Sequence, residues 1–152
     1  MAKTAAGKTG TDDLESFVSY RLARLNAVLY ADLAHELQAH VDLSPVQWRI
    51  IALLHRHAPT TSAELVRESG MDAGLLSRNL KRLVDERLVD AAHSDDDRRR
   101  LRLSLTRRGR RLYERLIPLM RRRQTRLMRG IDERERRVLY RALDKLRDNA
   151  LG

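Results

Sequence analysis

The chain has 152 residues, a length that predicts one domain, with or without dimerisation extensions. Few glycine, proline and aromatic residues and a charged fraction of 34% favour long amphipathic helices and argue against a β-sandwich or barrel. The net charge of +10 favours a polyanionic partner, either nucleic acid or an anionic membrane surface.

The sequence contains no cysteine, which excludes disulfides and thiolate metal sites. It shows no signal peptide and no apolar run near the roughly 18 residues that a membrane span needs. We therefore expect a cytoplasmic protein that does not enter a membrane.

The beginning of the chain combines a tail with a long helix. Residues 1–11 are small, polar and basic without periodicity, which predicts a flexible tail. From Asp12 to His40, apolar residues recur at three- and four-residue steps, as in a helix. This stripe is too long for one small domain to bury. We therefore expect residues 12–42 to pack partly on a second chain or on the C-terminal helices.

Capping patterns predict the starts of three further helices. Ser44, followed by proline and then Gln47, has the pattern of a capped helix start. Thr61 with Glu64 predicts a second capping box, and Asp72 is a good N-cap for the helix after it. The sequence therefore predicts a helix from Thr61, a turn at Ser69-Gly70 and a second helix from about Asp72 that includes Val84.

The second of these short helices has one apolar and one polar face. Its apolar positions share helical spacing and are expected to be buried: Leu76, Leu80, Leu83 and Val84. The opposite face carries Ser77, Arg78 and Lys81. A hydroxyl and two long cations on an exposed helix face suit a DNA major groove.

A β-hairpin with a charged tip is predicted next. Leu88-Val89 begins one strand, and alternating leucines over 101–105 form the other. The tip, residues 93–100, contains three aspartates followed by three arginines. An arginine braced by an aspartate there suits a narrow minor groove, and a solvated charged turn is the alternative.

Two helices are expected to complete the chain. The first runs from Thr106 to about Arg129 and should be kinked by Pro118. The second starts at Asp132, and its apolar stripe is expected to be buried: Val138, Leu139, Ala142, Leu143 and Leu146. These helices and the first one are expected to interlock with those of a second subunit.

Three stretches resemble one family along nearly the whole chain. They are LSPVQWRIIALL at 43–54, SRNLKRLVDERLV at 77–89 and DRRRLRLSLTRRG at 97–109. The last is similar to the wing signature of the MarR family (multiple antibiotic resistance regulators). The resemblance implies a mainly α fold with a β-hairpin wing, in which a winged helix-turn-helix domain carries long N- and C-terminal dimerisation helices.

The resemblance also implies residue roles. Asp97 would brace Arg99 in the minor groove, and Ser77 and Arg78 would occupy the usual Thr/Ser-Arg pair of the recognition helix. Arg87 stands where many relatives have glycine, and the absence of cysteine excludes the family's thiol-based peroxide sensing. The implied domains are 43–106 for DNA binding and 107–152 for dimerisation, beside residues 12–42.

The hypothesis that follows is a homodimeric, ligand-responsive transcriptional regulator that binds a pseudo-palindromic operator in double-stranded DNA. Its expected DNA contacts are Thr61, Ser62, Ser77, Arg78, Lys81, Arg82, Asp97, Arg98, Arg99 and Arg100. By the same resemblance, a small aromatic or anionic effector would meet His35, Trp48, His55 and Tyr113, although ordinary core packing explains the same residues.

Other classes of protein would use the same basic helix or the histidines differently. A non-sequence-specific architectural DNA binder would need only the basic helix at 107–123, and a membrane-surface protein would use the same helix. His55 and His57 lie two apart on a helix, so their rings diverge, and we expect no metal site and no cofactor. No catalytic motif appears, and we expect no enzyme activity.

Overall fold

The computed structural model describes residues 14–93 and 101–152. Its helices and strands, in chain order, are α1 (Val18–Gln38), α2 (Pro45–His57), α3 (Ser62–Ser69), α4 (Ala73–Asp85), β1 (Val89–His93), β2 (Leu101–Leu105), α5 (Arg107–Leu127) and α6 (Glu133–Leu151). The predicted fold class is confirmed: the protein is mainly α, with a two-stranded antiparallel hairpin as the wing of a winged helix.

The predicted helix starts are confirmed by their hydrogen bonds. At α2, the Gln47 amide donates to Ser44 Oγ at 3.2 Å, and the Ser44 amide donates to Gln47 Oε1 at 2.8 Å. At α6, the same reciprocal pair joins Asp132 and Glu135, with both distances at 2.8 Å. Each box satisfies two amides that the helix cannot pair internally.

Backbone contacts divide the chain into two units, one ending at Gly109 and one spanning Arg110–Gly152. The core of the first unit draws fully buried side chains from α1 to α4 and from the wing: Leu37, Ile50, Ile51, Leu54, Leu65, Leu76, Leu83 and Leu103. Leu80 is also buried, as predicted, whereas Val84 is half-buried. α4 thus turns its apolar face inward and leaves its polar face to solvent.

The hairpin register aligns Val89 with Leu105 and His93 with Leu101. Thr60, just before α3, forms a further bridge to Leu103, with N···O distances of 3.2 and 2.8 Å. The wing is therefore hydrogen-bonded to the residue that leads into the helix-turn-helix.

The first helix is shorter than the pattern predicted. A single turn of 3₁₀ helix at Leu14–Ser16 precedes it, and Phe17 is extended, with φ −77° and ψ 121°. Phe17 has no side-chain acceptor that could cap a helix. Much of the predicted stripe is exposed in the single chain, including Leu14, Phe17, Val18 and Leu25.

Buried side chains of the second unit lie on α5. α5 includes Pro118 within its bounds, and Leu116 and Leu119 are buried. No residue of α6 is buried in the single chain, and Val138, Leu139 and Leu143 are exposed by 50%, 40% and 38%, so the predicted burial of this stripe against a second subunit stays a prediction. An amphipathic pattern shows that a face is apolar and does not show what covers it.

Within residues 14–93 and 101–152, no helix combines the length and the hydropathy needed to cross a bilayer.

Candidate nucleic-acid interface

The start of α3 is held by one carboxylate. Glu64 Oε2 accepts from Thr60 Oγ1 at 2.7 Å and from the Thr61 amide at 2.8 Å, and the Glu64 amide donates to Thr61 Oγ1 at 3.3 Å. The Thr60 hydroxyl, followed by the Thr61 amide, lowers the pKa of Glu64 below its ordinary value of 4.5. Because the Thr61 oxygen serves here as an acceptor, its hydroxyl hydrogen can still be donated to a phosphate.

A three-residue turn joins α3 to α4. Gly70 takes the left-handed conformation, φ 63°, and its amide donates to Val66 O at 2.9 Å, so the predicted glycine stop is confirmed. Met71 is buried beneath the turn, and Asp72 Oδ1 then accepts from the Leu75 amide at 2.9 Å. The turn thereby sets the angle at which α4 leaves α3.

Ser77 and Arg78 lie exposed on α4. Neither side chain has a hydrogen bond or ion pair with any residue in 14–93 or 101–152. The Arg78 guanidinium lies back along the helix, where a Cβ on Gly74 would approach its Nη1 to 3.2 Å. A cation that has no partner among those residues and lies on an exposed helix face is available to an anionic or base-edge acceptor.

The two cations that follow on α4 are already paired. Lys81 Nζ lies 2.9 Å from Asp85 Oδ2. Arg82 Nε lies 2.8 Å from Glu86 Oε1, and its Nη2 lies 3.3 Å from Asp42 Oδ2 in the loop after α1. The Glu86 hydrogen bond, then the charges of Glu86 and Asp42, raise the pKa of Arg82. A phosphate reaching Arg82 would therefore compete with two carboxylates.

Asp85 and Glu86 were not among the predicted site residues, although their i,i+4 spacing from Lys81 and Arg82 is a known signal for helix ion pairs. Asp42 carries no such signal, because it is 40 residues from Arg82 in sequence.

α4 ends in a Schellman motif. The Leu88 amide donates to Leu83 O and the Arg87 amide to Val84 O, both at 2.9 Å, and the two leucines are buried. Arg87 takes the left-handed conformation that this motif requires, with φ 58°. The structure thus resolves the turn geometry at the position where relatives of the resembled family carry glycine.

Thr106 and Gly109 join the wing to α5. Thr106 Oγ1 donates to Arg87 O at 2.8 Å and accepts from the Gly109 amide at 3.0 Å. The Thr106 amide donates to Leu88 O at 3.1 Å. Gly109 lies so close to this carbonyl that an added Cβ would be 2.1 Å from the Leu88 oxygen.

The predicted wing-tip residues Asp97, Arg98, Arg99 and Arg100 lie outside the described residues. The strands on either side of that segment are described: β1 ends at His93, and β2 begins at Leu101.

A sequence profile of the MarR family matches residues 41–100. The chain is similar to a MarR-family transcriptional regulator from Silicibacter pomeroyi whose crystal structure is known. The two sequences are 31% identical, the match covers 90% of this chain and 92% of the other, and the structures superpose with a TM-score of 0.75. The chain belongs to the MarR family.

Other relatives agree with this membership. The transcriptional repressor NicR of Pseudomonas putida is 27% identical over 71% of this chain and 68% of its own. The repressor CouR, solved bound to a 23-mer DNA duplex, is 25% identical over 92% of this chain and 99% of its own, with a TM-score of 0.79. Matched regulators of Staphylococcus aureus are 29% identical over 56% of this chain, which spans 58% of their length.

The four candidate effector contacts occupy different environments in this MarR-family chain. His35 on α1 and His55 on α2 are exposed, whereas Trp48 on α2 is buried, with 9% of its surface accessible. Trp48 and His55 are seven residues apart, about 10 Å along one side of the helix. Tyr113 is half-buried on α5 and belongs to the second unit.

Within residues 14–93 and 101–152, no three or more histidine, aspartate or glutamate side chains are grouped so that they could hold a metal ion.

Proposed function

We propose that this MarR-family protein is a homodimeric, sequence-specific DNA-binding repressor acting on a pseudo-palindromic operator. The observation that carries the proposal is the α4 surface, where Ser77 and Arg78 are exposed and have no partner among the described residues. This surface belongs to the second helix of a helix-turn-helix whose first helix and turn are held by the Thr61 cap and Gly70. CouR has been solved with a DNA duplex and NicR is named a repressor, which supports the proposal.

In this proposal the residues of α4 divide by role. Arg78 donates to base edges in the major groove and Ser77 to a base or phosphate. Lys81 and Arg82 contact the rim and the phosphates by exchanging Asp85, Glu86 and Asp42 for DNA. Because Lys81 and Arg82 exchange one surface ion pair for another whereas Arg78 gives up none, we expect Arg78 to contribute most to binding.

The remaining DNA contacts flank the groove. Thr61 and Ser62, at the start of α3, offer their hydroxyls to a phosphate, whereas the Thr61 amide is already donated to Glu64. Arg99, braced by Asp97, enters the minor groove, with Arg98 and Arg100 on the adjacent backbone.

The DNA-binding part comprises residues 43–106, and residues 12–42 and 107–152 serve dimerisation. Apolar side chains exposed on α1 and α6 support a second copy as partner, since they form stripes at helical spacing: Val18, Leu22 and Leu25 on α1, and Val138, Leu139 and Leu143 on α6. A two-fold dimer would present its recognition helices about 34 Å apart, matching an inverted repeat.

We further propose a small aromatic or anionic effector held by His35, Trp48, His55 and Tyr113. A ligand that favours one spacing of the two recognition helices changes the fit to both half-sites together.

The deciding experiment is a selection of genomic fragments by the purified protein at ~150 mM salt, where phosphate-only binding is already weak. Recovery of one short inverted repeat supports the proposal. Recovery of unrelated fragments with equal affinity contradicts it and favours an architectural DNA-binding protein.

Replacing Arg78 by alanine tests the base contact. We expect the selected repeat to lose ~1–3 kcal/mol of binding free energy and the preference over random DNA to narrow. Arg56→Ala is a matched control, because it removes the same charge from an exposed position on α2. Equal effects of the two substitutions on the repeat and on random DNA would contradict the assigned role.

A further inference from the structure

Most of the chain's net positive charge lies on one helix. α5 contains nine arginines and one acid, Glu114, and so carries eight of the chain's ten net positive charges. Neither the recognition helix nor the wing tip includes these residues. The DNA contacts proposed above therefore do not use the charge of α5.

Six of these arginines form a continuous exposed surface, which we term the arginine ridge. Helical spacing places them on one side of α5, and none has an ion-pair partner in 14–93 or 101–152. They are Arg107, Arg108, Arg111, Arg115, Arg121 and Arg122. At 1.5 Å per residue the ridge is about 22 Å long, which corresponds to about six phosphates of one DNA strand.

On α4 and α6, several cations have an acidic partner on the same helix. Lys81 pairs with Asp85 on α4, Arg136 and Arg137 with Glu133 on α6, and Arg147 with Asp144. On α5, arginines at i,i+4 spacing, such as Arg107, Arg111 and Arg115, repel one another and destabilise the isolated helix. An anionic partner would relieve this repulsion.

The first two ridge residues, Arg107 and Arg108, lie in a turn whose backbone is fixed by hydrogen bonds. Thr106 and Gly109 fix the first turn of α5 against Arg87 O and Leu88 O at the end of the recognition-helix motif. Arg107 and Arg108 therefore follow directly from the wing strand in a defined conformation, so less conformational entropy is lost when they bind an anion.

The chemistry of α5 distinguishes between two polyanionic surfaces. A helix that lies in a membrane interface exposes large apolar side chains beside its cations. The exposed large apolar side chains of the described residues lie elsewhere, and Leu116 and Leu119 of α5 are buried. Guanidinium groups on a helix face without large exposed apolar side chains suit the phosphate backbone of a duplex. Each guanidinium can donate two hydrogen bonds to one phosphate in a bidentate contact.

We propose that the arginine ridge binds the phosphate backbone of duplex DNA outside the operator bases, as a second and sequence-independent contact surface. The inference rests on the proposed function in that the ligand is duplex DNA, but it does not depend on recognition by Arg78. Log affinity falls linearly with log salt concentration, and each ridge arginine that neutralises a phosphate makes this slope steeper by about 0.9.

The test compares two doubly substituted proteins of equal net charge. Arg111→Gln/Arg115→Gln removes two ridge cations, and Arg134→Gln/Arg141→Gln removes two exposed α6 cations that also have no ion-pair partner among the described residues. Affinity for a random-sequence duplex is measured at several salt concentrations. We expect the slope of log affinity against log salt concentration to become shallower by about two in the ridge variant and to stay unchanged in the α6 variant.

An unchanged slope, or an equal change in both variants, overturns the proposal. So does a ridge variant that loses binding to anionic phosphatidylserine vesicles, or that changes only its self-association, while its DNA slope stays at the wild-type value. If circular dichroism shows that the first variant is unfolded, Arg121→Gln/Arg122→Gln provides the same test at the other end of the ridge.

Arg78→Ala, measured on the same random duplex, separates this proposal from the proposed function. A lost operator preference with an unchanged random-duplex slope supports operator recognition through α4 and leaves the ridge to its own variants. The opposite result is a salt slope that depends on the ridge arginines in a protein that selects no inverted repeat. It would contradict the proposed sequence-specific regulator and support phosphate binding by the ridge.

Discussion

Arg87 occupies a backbone conformation that most residues avoid. Its φ of 58° places it in the left-handed region, where a Cβ crowds the following carbonyl. The position is imposed from outside the residue, because the Leu88 amide must reach Leu83 O and Leu88 must enter the core. Glycine would meet the same requirement without the steric cost.

Replacing Arg87 by glycine should therefore stabilise the protein. Relief of strain outweighs the larger entropy of the unfolded glycine chain, for a net gain of about 0.5–1 kcal/mol in the free energy of unfolding. Urea denaturation measures this change. Arg87→Ala is the control, since it removes the side-chain charge and keeps the Cβ, and a similar gain in both variants would show that charge, not conformation, is responsible.

The joint between the wing and α5 depends on a missing side chain. Gly109 approaches Leu88 O so closely that an added Cβ would lie 2.1 Å from a backbone oxygen, which cannot move without disturbing β1 and the end of α4. Gly74 in α4 offers a contrast, because its nearest neighbours are side-chain atoms, Asp72 Oδ1 at 3.1 Å and Arg78 Nη1 at 3.2 Å, and a shift of a few tenths of an ångström makes room for a Cβ.

Alanine substitutions at these two helical glycines should have opposite effects. Helix propensity favours alanine by about 1 kcal/mol at both positions, but the clash at Gly109 should reverse the sign and cost about 1–3 kcal/mol. Gly74→Ala should be neutral or stabilising. Thermal unfolding of both variants checks this, and a stabilised Gly109→Ala would mean that the joint opens at little cost.

Two apolar faces remain exposed when the whole molecule is considered as a single chain. On α6 the apolar positions form one stripe, yet no residue of that helix is buried. Exposed stripes of this extent are unfavourable in water, and burial against a second copy would remove them from solvent.

A glutamate placed on the α6 stripe should weaken a dimer built on it. Leu139→Glu would bury a charge in an apolar interface, and we expect the dimer dissociation constant to rise by more than about tenfold. Asn149→Glu adds the same charge to an exposed polar position and should leave the constant unchanged. Sedimentation equilibrium distinguishes the two, and an unaltered Leu139→Glu dimer would place the interface elsewhere.

The extent of what could be predicted follows the range of the interactions concerned. Capping boxes at Ser44, Thr61 and Asp132 involve residues only three apart, and the glycine stop at Gly70 is a local backbone preference. Helical and alternating periodicities likewise identify α4 and the wing strands from neighbouring residues. These features, and with them the winged helix and the exposed Ser77-Arg78 surface, could be predicted from the chain alone.

Other features could not be predicted from the sequence, because they join residues that are distant in sequence or depend on what covers a surface in the tertiary structure. Nothing local to Asp42 indicates that it lies 3.3 Å from Arg82, and nothing local to Gly109 indicates the carbonyl of Leu88 beside it. Periodicity showed that α6 has an apolar face but not that this face is bare in the single chain. Short-range order is encoded by neighbouring residues, whereas pairing and burial are consequences of how the whole chain packs.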